Sequence, residues 1–486
     1  MVDVYSSVRN FLLYFFLFIS LQCLCNQISL SELLKTEGKQ VEICQPVTLN
    51  EDIVVRNSLR FVGDGCVLQT GRFKLRIEAP VEATLSHIFI GFQPGEVTFA
   101  SGCVKEVYPQ WWGAKGNGKE DDYSSLQSAI DSNCQSVFIP KGRYLITKTL
   151  NLTNRPFGLN LIGQGQSEEG SVIVADTGGI AIDASGSRYL HFANFAIESG
   201  NENPSLVGIL FSRTIDVGFC EFNNLENVRI KLISLPKANN GNGTVGIYNN
   251  ASELWRARNI YLMADNPIVF TGYNIFKIKS PYTKQEERYV SMSECTIDGA
   301  STLHSLSGPA ITIENGDTIE ILNTYITRSG EAKFPYAIKV MNFWGINLTY
   351  TGHIEGFDRF LYTNVTNIVG CKFKATLFTT GAPLIHLEGR KEHPSLRGCE
   401  IELIPEPTSR ASPLILAEGE VAINSCRIVL YSGQSIECRE GEFRGNIVQA
   451  WDEEAKINLN PERASYLLVL PKGVEIFNKS AKEKAE

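Results

Sequence analysis

Glu314 and Asp317 are the residues in this chain best placed for acid/base chemistry. They flank Asn315-Gly316, so two carboxylates share one strand end and its turn. Hydrolysis of a glycosidic bond requires such a pair, one carboxyl protonated as the acid and the other charged. In Ala310-Ile-Thr-Ile313, strand alternation sends Ile311 and Ile313 to one face and Thr312 and Glu314 to the other. Lys339, His386 and Glu388 keep that outward phase in later strands of the same type. Gly352-His353-Ile-Glu355-Gly356 puts His353 and Glu355 on one face of a further strand. The expected catalytic pair is therefore Glu314 with Asp317. Lys339, His353, Glu355, His386 and Glu388 are the expected substrate contacts. An exposed polar column and an ordinary Asn-Gly turn would explain the same residues without chemistry.

The elements that must hold these side chains recur along the chain. One phrase is a short strand, a polar or small corner and a second strand, as in Leu190–Ile197, Leu225–Ile230, Ile321–Ile326, Val369–Phe373, Leu396–Ile401 and Ile423–Ile428. A third strand lies between successive copies, as in Gly208–Phe211, Ala310–Ile313, Ala337–Val340, Leu384–Leu387 and Leu414–Leu416. Corners at Asn194, Asn227, Asn259, Asn323, Asn347, Gly370, Gly398 and Ser425 are mostly about 23 to 35 residues apart. Three short strands per turn at that period predict a parallel β-helix with variable loops. Neighbouring coils of such a helix are about 4.8 Å apart. Carboxylates on adjacent coils would suit a retaining glycosidase, and carboxylates two coils apart an inverting one.

The array is entered through Tyr108–Gly165, which reads as loop, helix, strand, turn and strand. Gly113, Gly116 and Gly118 form the loop, Asp121 or Asp122 caps the helix, and Leu126, Ala129 and Ile130 give it an apolar face. Trp112-Gly-Ala-Lys-Gly-Asn-Gly-Lys-Glu-Asp-Asp122, Leu126-Gln-x-Ala-Ile-Asp131 and Val137-Phe-Ile-Pro-x-Gly-x-Tyr144 resemble the opening of the pectate-lyase-like superfamily, in its rhamnogalacturonase- and epimerase-like branch. The resemblance implies a right-handed parallel β-helix entered through one short helix. It does not specify chemistry, because these residues look like loop, cap and turn devices. The family usually has Asp between the loop glycines, and this chain has Asn117. Of the ordered motifs of polygalacturonases with this fold, only Arg229-Ile-Lys231 is present, which disfavours that activity. No cluster of acidic oxygens faces an arginine, so a calcium-dependent lyase has no support either.

Composition narrows the partners. A net charge of −8 over 486 residues argues against nucleic acid. Aromatic content of 10% suits sugar stacking as well as core packing. Arg9 precedes the apolar run Phe11–Leu24, too short for a comfortable membrane span and suited to a secretory signal cleaved before Asn26. Cys295, Cys371, Cys399 and Cys426 share one repeat phase and are expected as buried thiols stacked one per coil. No Cys-x-x-Cys pair exists, and no cofactor or metal is expected.

The expected architecture is all-β, a right-handed parallel β-helix with one short capping helix near its start. Residues 1–25 are the expected signal peptide, 26–108 a small β-solenoid or β-sandwich module, 109–470 the β-helix and 471–486 a charged, flexible tail. The expected partner is a polysaccharide or other glycan, with no nucleic acid and no membrane once the signal is removed. The expected function is that of a secreted glycoside hydrolase or polysaccharide lyase. The alternative is a non-catalytic glycan-binding or surface structural β-helix. Oligomeric state is not legible.

Overall fold

In the computed structural model the described residues are 28–478, without 37–39, 202–206, 214–218, 234–242, 272–276, 280–285, 289–293, 315, 317, 330–333, 342–345, 365–366, 379–382, 390–393, 406–412, 452–454, 461 and 471–472. The expected signal peptide therefore lies outside them. The chain forms two compact units, one of residues up to Lys115 with Ser124–Val137, the other of Gly116–Tyr123 with Phe138 onward.

The first unit is a short solenoid. Its nine strands form three parallel three-stranded sheets, and each pass of the chain contributes one strand to each sheet. Gln40–Ile43, Ser58–Phe61 and Val81–Glu82 make one side, and Pro46–Leu49, Cys66–Gln69 and Phe89–Ile90 the next. Ile53–Val55, Leu75–Ile77 and Val97–Phe99 make the third. Alternation buries Val41, Ile43, Leu59, Leu75, Ile77, Val97 and Phe99 while Glu42, Arg60 and Arg76 face out. Of the two expected forms of this module, the structure has the solenoid.

The second unit is a right-handed parallel β-helix built from a 22-stranded and a 12-stranded sheet. Its entry follows from Asp chemistry. Asp121 Oδ1 accepts the Tyr123 N–H at 3.0 Å, and Asp122 Oδ2 accepts the Gly116 N–H at 3.0 Å. Both carboxylates thus serve the backbone, as a cap and loop reading requires.

On the inner face of the shorter sheet, Ile268, Ile311, Ile338, Leu361, Ile385, Ile415, Ile436 and Ile457 follow one another in register, one per coil. Each of these side chains but the half-buried Ile457 is fully buried, and contributes about 1.5–3 kcal/mol. The longer sheet bends along a line of left-handed residues: Asn194 (φ 59°), Asn227 (φ 53°), Asn259 (φ 52°), Asn323 (φ 53°), Gly370 (φ 63°), Gly398 (φ 63°) and Ser425 (φ 57°). Asn tolerates that conformation, and here its amides link coils, Asn227 Nδ2 donating to Asn194 Oδ1 at 3.0 Å and Asn259 Nδ2 to Asn227 Oδ1 at 3.3 Å. Asn347, expected on this line, instead opens the strand Asn347–Glu355; Thr351 Oγ1 takes the Asn323 N–H there.

The four cysteines of common phase do occupy one column. It runs Trp255, Cys295, Ile319 and Leu348, then Cys371, Cys399 and Cys426, so two apolar residues interrupt the thiols. All four are free and buried. At the far end the helix outlasts its recognisable repeat: Lys456–Leu459 adds a strand to the shorter sheet and Ala464–Leu470 one to the longer. Residues 473–478, assigned from sequence to the flexible tail, form a strand antiparallel to Ala464–Leu470. Backbone pairing at an otherwise open sheet edge outweighs their modest length. The remainder of the expected tail, 471–472 and 479–486, lies outside the described residues.

Candidate functional site

Six consecutive strands of the shorter sheet carry a set of chemically competent side chains: β1 (Ile311–Ile313), β2 (Tyr336–Val340), β3 (Arg359–Thr363), β4 (Ile385–Gly389), β5 (Ile415–Gly419) and β6 (Ser435–Cys438). Their outward column reads Thr312, Lys339, Tyr362, His386, Leu416 and Glu437. Two residues further along the coils, Glu388 of β4 pairs in register with Glu418 of β5.

A hydrogen-bonded chain crosses this face from β3 to β5. Arg359 Nη1 donates to the Tyr336 hydroxyl at 2.7 Å, the Tyr336 hydroxyl lies 2.7 Å from His386 Nδ1, and His386 Nε2 lies 2.9 Å from Glu418 Oε2. A guanidinium only donates, so Tyr336 accepts from Arg359 and keeps its own proton for His386 Nδ1. His386 then carries its hydrogen on Nε2 and donates it to Glu418, a tautomer assigned from the network. Burial pushes the Tyr336 phenol up, against the pull of Arg359, which keeps it a donor at neutral pH. Beside this chain the Tyr362 hydroxyl donates to Glu388 Oε2 at 2.7 Å. Tyr336 and Tyr362 lie 5.4 Å apart between ring centroids, and Phe334 flanks Tyr336 at 5.5 Å. Six groups on four coils thus form one aromatic and acidic face.

The Glu-Gly sequence that ends β4 and β5 fixes the two carboxylates. Gly419 has φ 75°, and a Cβ there would sit 2.4 Å from the Gly389 carbonyl oxygen, so the coils close tightly just after each Glu. Beyond Glu418 the surface is concave. A pocket of about 330 Å³ is lined by Glu418, Gly419, Glu437, Arg439 and Glu440 with Leu416 and Ala417. Among the described residues, no group of three or more His, Cys, Asp or Glu side chains is arranged to hold a metal ion.

The structure distributes the expected site residues unequally. Glu314 follows β1 on this face, half-buried, and burial pushes its carboxyl up while Lys339 pulls it down. Its expected partner Asp317 lies outside the described residues. Lys339 belongs to β2, its ammonium 5.6 Å from the Phe334 ring centroid. His386 and Glu388 are at the centre of the cluster. His353 and Glu355 belong to the other sheet, where the His353 ring packs, tilted by 40°, on Tyr325 at 5.0 Å and the Tyr325 hydroxyl bonds Glu355.

Tyr336, Arg359, Tyr362 and Glu418 were not singled out from sequence. For Glu418 a signal existed: Leu384-Ile-His-Leu-Glu-Gly389 and Leu414-Ile-Leu-Ala-Glu-Gly419 are one phrase written twice. Tyr362 shares the outward phase of Lys339 with nothing in local spacing to mark it, and Tyr336 and Arg359 fall on the opposite phase, that of Ile338 and Leu361.

Fold and surface together define a parallel β-helix protein whose polar residues gather on the outer side of a sheet. Residues 110–325 match the family described as rhamnogalacturonase A/epimerase, pectate lyase-like, in line with the resemblance carried by Trp112–Tyr144. No curated protein matches the chain. Similar solved structures include PfbA, a surface adhesin of Streptococcus pneumoniae, with 12% identity over 76% of this chain and 94% of that one, TM-score 0.42. DFA-IIIase from Arthrobacter chlorophenolicus A6 without its lid has 11% identity over 74% and 99%, TM-score 0.46. The A-module of a mannuronan C-5 epimerase from Azotobacter vinelandii has 13% identity over 75% and 99%, TM-score 0.37.

Proposed function

We propose that this protein acts on a polysaccharide outside the cytoplasm as a glycoside hydrolase, with Glu388 and Glu418 as its two carboxyl groups. The observation that carries the reading is their register: they leave adjacent coils from the same position, on a sheet whose strands are about 4.8 Å apart. Carboxyl groups projecting from the same position on adjacent coils suit double displacement with retention better than an inverting arrangement, which needs room for a water between them. Glu418 accepts the His386 N–H and serves as the charged nucleophile, oriented through Arg359, Tyr336 and His386. Glu388 delivers its proton to the leaving oxygen and then withdraws one from water. Tyr362 and Phe334, backed by the buried Tyr336, offer ring surface for sugars on one side of the pair, and the pocket beyond Glu418 offers space on the other. The match to a family described by a rhamnogalacturonase supports a glycan as substrate. The apolar run Phe11–Leu24 supports export.

The test is a screen of the purified protein on a glycan panel for new reducing ends and for unsaturated products. Reducing ends alone, with retained anomeric configuration, support the hydrolase. Unsaturated products would establish a lyase instead, and neither product would leave a binding protein.

A further inference from the structure

A second carbohydrate-competent feature lies on the longer sheet. Tyr431 and Trp451 follow the strands Arg427–Leu430 and Glu442–Ala450 at the same corner on successive coils. Their rings stack with centroids 5.4 Å apart and planes 16° apart. The indole is 60% exposed, whereas Trp111, Trp112 and Trp255 are buried. The backbone of each residue is tied to its surroundings. The Trp451 N–H donates to the Leu430 carbonyl at 3.0 Å. The Tyr431 N–H donates to Gln434 Oε1 at 2.9 Å, and the Gln434 N–H returns to the Tyr431 carbonyl at 3.0 Å.

Polar groups border the stack on one side. Lys374, Glu402, Val429 and Gln449 form one outward column in register, two residues before Tyr431 and Trp451 along their coils. Glu402 Oε1 accepts the Tyr431 hydroxyl at 3.2 Å, and Lys374 Nζ meets Glu402 at 2.9 Å, holding that carboxyl below its usual range. A flat apolar surface edged by a carboxylate, an ammonium and a carboxamide matches a pyranose ring, which has one C–H-rich face and hydroxyls around its rim. The negative π-face attracts those C–H groups, and the rim groups accept and donate to the hydroxyls.

We propose that Trp451, supported by Tyr431, is an ancillary sugar-binding platform for a neutral hexose or pentose unit of the glycan. It rests on the glycan reading above but uses none of the same residues. It holds the chain rather than reacting with it, so its loss raises KM and leaves kcat unchanged.

The experiment titrates the wild type, Glu388→Gln, Trp451→Phe and Trp451→Ala with cello-, manno-, galacto- and xylo-oligosaccharides, following tryptophan emission, and measures reducing-end release in parallel. The expected result is a saturable emission change in the wild type and Glu388→Gln with at least one series. Affinity should fall about tenfold in Trp451→Ala, measured by calorimetry, and be partly kept in Trp451→Phe. No saccharide changing the emission, or unchanged affinity and KM in Trp451→Ala, would overturn the platform. A calorimetric affinity lost in Trp451→Ala without any reducing-end release sinks the hydrolase and leaves the platform standing.

Discussion

Glu388 and Glu418 stand at the same register position on consecutive coils, and each is followed by a glycine at a tight coil closure. Their juxtaposition is therefore a property of the helix rise rather than of either strand.

If that pair is catalytic, Glu388→Gln and Glu418→Gln each cost at least about a hundredfold in rate, the lower range for general acid–base catalysis. Both proteins should unfold at the wild-type temperature. Turnover on the glycan found by the panel, with a melting curve alongside, checks this; undiminished turnover in either folded variant removes that residue from the chemistry.

Glu314 makes a pH-dependent contribution of known sign. Burial raises its folded pKa above the unfolded value, Lys339 offsetting part of the rise. The stability it contributes is fully present below the ordinary glutamate range and is lost as pH rises through the raised value. Glu314→Gln carries no such loss. Its melting temperature relative to wild type should climb between about pH 4 and about pH 7. A constant difference across that range would show Glu314 to be solvated like any surface carboxylate.

Ile313 is fully buried and in register between Phe270 and Val340. Ile313→Asp leaves an unpaired charge in that stack and should cost more than about 4 kcal/mol in urea unfolding.

Asn227 combines a left-handed backbone with amide bonds to both neighbouring coils. Asn227→Ala forfeits both and should cost about 2 kcal/mol, while Asn227→Gly, which restores the backbone freedom, should cost less. Equal losses in the two variants would mean the amide ladder alone matters.

The buried thiols should be chemically silent. The neighbouring Cys371 pushes Cys399 up to about 12, and burial pushes Cys438 up to about 11. Thiolate is the reactive form, so a thiol reagent at neutral pH should modify exposed Cys44 in the native protein. Cys371, Cys399, Cys426 and Cys438 should react only after unfolding. Peptide mapping by mass distinguishes the two sets.

The sequence alone carried the β-helix, because its determinants are local and repeated. Ile311 and Ile313 announce an inner face by alternation, Asn194, Asn227 and Asn259 announce a corner by tolerating a left-handed backbone, and Asp121 and Asp122 announce caps. It also gave His386 and Glu388 their outward phase. It could not decide which outward residues meet, because loops of unequal length separate the coils and contact across coils depends on register. Thus Tyr336 reaches over two coils to His386, 50 residues away in sequence. His353 and Glu355, in phase with a plausible site when read along their own strand, face out from a different sheet. The pairing of Glu388 with Glu418 needed both facts at once: a local rule that turns each carboxylate outward, and a helix closure that sets the two strands side by side.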